Sequence, residues 1–156
     1  MKIKLIAVGG LKQEYAKVGC ALFAARLSKM CRFELIEVRD AKRKGSDVSR
    51  WRAQEAEGIR QALSGVSSWV ALDERGEEWG SERLAREIQE RQTRSLSSLA
   101  FVIGGPDGFD PALLKSAPRS LRLGKMTLPH ELARLVILEQ LYRAQSILAN
   151  TPYHRP

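Results

Sequence analysis

The sequence predicts an α/β protein built on a largely parallel sheet with helices on both faces. Short apolar runs alternate along the chain with longer segments of helical periodicity, the pattern of strands joined through crossover helices. The runs at 5–8 and 99–103 are unbroken apolar stretches, as expected of strands covered on both sides. No repeat, low-complexity tract or linker interrupts the succession, so residues 1–156 are expected to form one domain. A chain of that length buries roughly two thirds of the surface it exposes when unfolded.

Residues 3–8 form the first strand and end at Gly9-Gly10. Glu14–Met30 follows as a helix, with Tyr15, Val18, Leu22, Phe23, Leu27 and Met30 on one apolar stripe. Residues 33–38 are a second strand, and 46–62 a polar amphipathic helix with Ser46 as its N-cap. Residues 69–72 are a strand entering the acidic turn Asp73-Glu-Arg-Gly76. A helix over 81–92, capped by Ser81, precedes a buried strand over 99–103 that runs into a glycine turn. Pro111 opens a short helix over 111–117, where its fixed φ suits the first turn. The last strand spans 120–123, and the terminal helix spans 129–149.

That helix is apolar around most of its circumference, whereas packing on one sheet needs a stripe only about 100° wide. It therefore meets a second apolar surface, either a subunit interface or neighbours within a central position. Ligands of such sheets sit beyond the carboxyl ends of the strands, which places Leu72, Gly104 and the turn after Leu123 on one rim.

A net charge of +8 and a pI near 9.9 point to an anionic partner, nucleic acid first. The charge is uneven: residues 39–60 carry seven Lys/Arg against four Asp/Glu, and 119–156 six against two, while 73–90 carry three against seven. One basic face is the expected result. Within it, Arg50-Trp51-Arg52 near Lys42-Arg-Lys44 marks an RNA footprint, with Trp51 turned inward and both arginines solvated. The apolar start at 5–8 is too short for a signal sequence, and nothing approaches a membrane span. Cys20 and Cys31 lack CxxC spacing and, with two distant histidines, make a poor metal set. A reduced cytoplasmic protein without a metal is expected.

Two islands carry the chemistry. Gly104-Gly-Pro-Asp-Gly108 allows close backbone approach to a ligand, although it is neither a GxGxxG fingerprint nor a Walker A loop. The connector Leu123-Gly-Lys-Met-Thr-Leu128 before Pro129-His130 offers exposed amides, for a nucleoside edge or for capping the helix. At the end of the chain, Tyr153-His154-Arg155 supplies a hydroxyl, a proton acceptor and a cation that matches phosphate. Arg143 lies four residues after Glu139, the spacing of an intrahelical ion pair.

Phe101-Val-Ile-Gly-Gly-Pro-Asp-Gly108, Met126-Thr-Leu-Pro-His130, Glu139-Gln-Leu-Tyr-Arg-Ala144 and Pro152-Tyr-His-Arg155 closely resemble the bacterial rRNA large-subunit methyltransferase H family, of the SPOUT class. Residues 5–9, 33–38 and 71–76 and the total length fit as well, so the resemblance covers essentially the whole chain. It implies a C-terminal trefoil knot, a homodimer and S-adenosylmethionine as methyl donor. It also implies methylation at N3 of a pseudouridine in large-subunit (23S) rRNA, on the assembled ribosome. By the family pattern Leu72, Gly104 and Gly105 bind the cofactor with the connector residues Leu123, Gly124, Lys125, Met126, Thr127 and Leu128. Arg143, Tyr153, His154 and Arg155 are the implied catalytic set, the tail serving its own pocket or the partner's. The chain departs from the pattern at Arg122 and Gly124, where the family has small hydroxyl residues, and at Asn150, where a glycine is usual.

Overall fold

The computed structural model describes residues 1–155. Five strands form one parallel sheet in the order β2-β1-β4-β3-β5. They are β1 (Lys2–Val8), β2 (Arg32–Val38), β3 (Ser68–Glu78), β4 (Ser98–Ile103) and β5 (Arg119–Arg122). The helices between and after them are α1 (Glu14–Met30), α2 (Val48–Ala62), α3 (Ser81–Thr93), α4 (Pro111–Lys115) and α5 (His130–Leu148). Side chains alternate between the faces of a strand, so each central strand feeds two cores. Ile3, Leu5, Leu99, Phe101 and Val70 pack with α1, α3 and α5. Ile6, Val8, Ala100, Val102 and Ala71 pack with α2 and α4. All six residues of β4, at the middle of the sheet, are buried.

Several local expectations are corrected. The N-cap of α2 is Asp47, whose carboxylate accepts from the Arg50 amide at 3.0 Å, and not Ser46 one residue earlier. Gly80, not Ser81, holds the cap position of α3; the Ser81 hydroxyl instead donates to Gln140 at 2.7 Å, joining α3 to α5. Strand β3 does not end at Leu72. Its register against β5 shifts between Leu72 and Glu77, so residues 73–76 bulge and pairing resumes at Glu77 and Glu78. Gly76 permits this because a Cβ there would stand 2.6 Å from the Leu121 nitrogen, which as backbone cannot yield. The stripe expected along α1 divides: Ala16, Cys20 and Leu27 are buried, whereas Tyr15, Val18 and Leu22 are exposed.

The circumferential apolarity of α5 has a source within the chain, since the helix lies against both α1 and α3. Its first turn is anchored by two charged residues. Helix α1 has no side-chain cap of its own; the amides of Lys12 and Gln13 donate instead to Oε1 of Glu131, the latter at 3.0 Å. Arg134, only 1% exposed, donates to Oε1 of Glu37 at 2.7 Å and to the Gly9 carbonyl. Helix α5 is thereby tied to the loop after β1 and to the end of β2.

The Gln13 and Lys12 amides pull the Glu131 carboxyl below its ordinary pKa. A carboxylate whose pKa is lowered by folding stabilises fully above its unfolded pKa and loses that contribution as pH falls through the folded value. Glu131→Gln is therefore expected to lower Tm at neutral pH, with the gap from the parent narrowing below about pH 4. Thermal melts from pH 7 to pH 3 check this; a gap independent of pH would mean the charge is irrelevant to the anchor.

Candidate active site at the carboxyl rim of the sheet

A cavity of about 930 Å³ opens beyond the carboxyl ends of β3, β4 and β5. Leu72, Ile103 and Leu121 come from the strand ends, with the turn that follows β4 and the connector that follows β5 also contributing to the lining. The volume is that of a site for a small organic ligand. Residues 105–108 close as a β-turn, the Gly108 amide donating to the Gly105 carbonyl at 3.0 Å. Pro106 sits at the second position of this turn, where its φ is already set. Asp110 then caps α4 through the Leu113 amide at 3.0 Å, and Pro111, Leu114 and Lys115 of that helix extend the lining.

Leu72, Gly104, Gly105, Leu123 and Gly124 line the cavity, as do Met126, Thr127 and Leu128; Lys125 does not. Met126 is 82% exposed. Two of the three departures have a local explanation. Arg122 pairs with Glu78 at 2.7 Å, joining β5 to the resumed part of β3. Asn150 has φ +52° immediately after α5, where the Thr151 amide bonds the Ser146 carbonyl and the Asn150 amide bonds that of Ile147. This is a Schellman ending, in which asparagine is the usual substitute for glycine.

The residues of the tail gather elsewhere. Glu139 Oε1 accepts from Arg143 Nη2 at 2.6 Å, from Arg143 Nε at 3.1 Å and from the Tyr153 hydroxyl at 2.9 Å. The Arg143 guanidinium lies over the Tyr153 ring, 4.8 Å from its centroid. His154 Nε2 stands 3.0 Å from Glu82 Oε1, while its Nδ1 is 3.5 Å from Arg143 Nη1. A guanidinium can only donate, so Nδ1 presents its lone pair to Arg143 and Nε2 carries the hydrogen toward Glu82. Burial, then the bond to Glu139, pushes the Tyr153 hydroxyl above its ordinary pKa. The Glu82 carboxyl is held below its ordinary value, first by its own backbone amide and then by His154. Arg155 is exposed.

None of Arg143, Tyr153, His154 and Arg155 lines the cavity of its own chain. Ala133 of α5 does, and Arg143 is ten residues further along, about 15 Å at the rise of an α-helix. Glu139 was readable from the sequence as a spacing partner of Arg143. Glu82, 72 residues from His154, was not.

The basic segment is arranged differently from expectation. Arg50 is exposed and Trp51 half-buried, but Arg52 is not simply solvated: its Nε donates to the Asp107 carbonyl at 2.7 Å and the residue lines the cavity. Among the described residues no cluster of three metal-ligating side chains occurs, and no helix is long and apolar enough to cross a membrane.

A family model described as "Predicted SPOUT methyltransferase" matches residues 1–154. A protein of Limosilactobacillus reuteri named "Ribosomal RNA large subunit methyltransferase H" is 42% identical over 159 residues, covering 99% of this chain and all of the relative. A protein of the same name from Acetivibrio thermocellus is 41% identical with the same coverage. Solved structures share the fold at much lower identity. A probable methylase family protein from Haemophilus influenzae superimposes with a TM-score of 0.58 at 13% identity, over 99% of this chain and 70% of that one. A probable methyltransferase from Bordetella pertussis does so with a TM-score of 0.57 at 16% identity, over 92% and 96%. With its parallel sheet, its rim cavity and a family match along nearly its whole length, the chain belongs to the SPOUT methyltransferases.

Proposed function

We propose that the protein is a cytoplasmic, S-adenosylmethionine-dependent methyltransferase that methylates N3 of a pseudouridine in large-subunit (23S) rRNA on the assembled ribosome. Identity running the full length of relatives named for large-subunit rRNA methylation carries the reading. The basic segment and the net charge of +8 suit so anionic a partner. A homodimer belongs to the same reading. The exposed Tyr15, Val18 and Leu22, spaced along one face of α1 beside α5, supply an apolar surface for a second copy. A C-terminal knot belongs to the same reading, through membership of the SPOUT class.

The cavity fits the donor on its own features. Its glycine turn admits a ligand close to the backbone, and Leu72, Ile103, Leu121 and Leu123 offer apolar walls to a nucleoside. Bound there, the donor would supply a sulfonium methyl group, already a good electrophile. What remains for the chain is alignment and handling of the N3 proton. The methyl group would pass to the ring nitrogen with the sulfur leaving as a thioether, and the imide proton would have to go to a base of the chain.

Within this reading His154 is the proton acceptor. Its unprotonated Nδ1 would take the proton once the long 3.5 Å contact with Arg143 gives way to substrate, and Glu82 behind Nε2 would stabilise the imidazolium that forms. Tyr153 is suited to orienting instead, because its raised pKa keeps the phenol protonated and donating to Glu139. Arg143 would stabilise the developing anion, and Arg155 would anchor a phosphate. The tail and the cavity being apart in one chain, the tail of one protomer would serve the pocket of the other.

Transfer of a labelled methyl group to ribosomes lacking the modification tests the reading, with label expected on a methylated pseudouridine of the large-subunit RNA. Unlabelled RNA, despite ribosome binding, would leave only a binding factor. For the proton acceptor, His154→Ala is expected to lower kcat about 100-fold or more, and Tyr153→Phe by less. Wild-type kcat in His154→Ala would remove the base role.

A further inference from the structure

Behind the glycine turn lies a buried carboxylate that the chemistry above does not use. Glu55 of α2 is 3% exposed. Its Oε1 accepts from the Ala41 amide at 3.0 Å and from Arg43 Nη2 at 2.9 Å. Arg43 carries the link onward, donating through Nε to Asp107 Oδ2 at 2.8 Å. Arg52, one turn before Glu55, grips the same residue through its carbonyl. The second carboxylate oxygen abuts the turn directly, since a Cβ at Gly105 would collide with Glu55 Oε2.

Two neighbouring segments, at 41–43 and 52–55, thus converge on a backbone turn far along the chain. A buried ion pair is weak evidence for stability, because well-packed apolar groups in its place are often neutral or better. What charged, directional contacts secure here is geometry. Loops that receive ligands are drawn from the less stable parts of a fold and need such outside support. Glu55 is well placed to give it: Arg43 fixes the side chain of Asp107, Arg52 fixes its carbonyl, and the Glu55 carboxylate sets how far Gly105 can recede.

We propose that Glu55 is a positioning residue for the methyl donor, holding the turn at 104–108 in its receptive shape through Arg43 and through contact with Gly105. This rests on the methyltransferase reading. The position of Arg43 within the basic segment, 6.0 Å above the Trp51 ring, puts this support next to the proposed RNA footprint.

The test is calorimetric titration of the full-length parent, Glu55→Gln and Arg43→Met with S-adenosylhomocysteine, together with donor KM, kcat and melting curves. Glu55→Gln is expected to weaken binding roughly tenfold, about 1.4 kcal/mol, and to raise donor KM by a similar factor. At saturating donor kcat should fall by less than about threefold, because Glu55 touches neither reactant. Arg43→Met keeps Glu55 and its Ala41 bond but cuts the link to Asp107; it should shift KM in the same direction, and it decides the matter if Glu55→Gln fails to fold. Folded variants that bind S-adenosylhomocysteine within twofold of the parent would overturn the proposal. A parent that does not bind it at all would instead sink the methyltransferase reading, and the positioning role with it.

Discussion

The first turn of α5 is the constraint on which the rest of the structure depends. Arg134 is a cation taken almost wholly out of water, and Glu37 and the Gly9 carbonyl are the partners that meet it. Leaving such a group without its partner costs about 3–5 kcal/mol, a large share of a domain's net stability. Three residues earlier Glu131 closes the entry to α1. One turn of helix therefore fixes the β1–α1 loop, the end of β2 and the point at which the connector leaves the rim. Since His130 and Ala133 of the same turn line the cavity, the wall of the site and the anchor of the fold are one element.

A division of labour follows for the site. The glycine turn, the connector and apolar side chains such as Leu72, Ile103 and Leu121 give the cavity walls that suit a nucleoside edge and an electrophile needing alignment more than activation, with charged side chains such as Arg52 and Asp73 also in the lining. The groups proposed to handle the proton are collected apart from the cavity, where Glu139 and Glu82 bond Arg143, Tyr153 and His154. A site divided in this way is complete only when the two collections meet. In the proposed dimer they meet across an interface, so that neither protomer alone presents both donor and base.

Much of this was legible in the sequence, and the exceptions have definite physical causes. Unbroken apolar runs revealed β1 and β4 because a strand buried on both faces has no polar alternation to confuse it. Pro111 marked the start of α4. The glycine turn and the connector were visible as backbone features, and eight of the nine residues expected there line the cavity. The extension of β3 was invisible, because residues 73–76 look like an acidic turn and only the close pass of Gly76 against Leu121 allows pairing to resume. Ser46 and Ser81 are good caps by type, yet the chain gives those places to Asp47 and Gly80, and periodicity cannot resolve one residue. The carboxylates Glu55, Glu82 and Glu131 escaped notice for a common reason: each meets a residue far away in sequence, Gly105, His154 and Gln13 respectively, where no spacing rule applies.

In the proposed dimer the pocket of one chain works with the tail cluster of another. The most direct measurement of this is complementation between two inactive parents, Thr127→Trp, which fills the cavity from the exposed connector, and Arg143→Ala, which breaks the tail cluster. Refolded together in equal amounts, they form mixed dimers in which one site unites an intact cavity with an intact tail. Methyl transfer in that mixture should recover to about a quarter of the wild-type rate per chain, the statistical yield of a symmetric dimer. A mixture no more active than either parent, with mixed dimers demonstrated by native mass spectrometry, would contradict the account and return the whole site to a single chain.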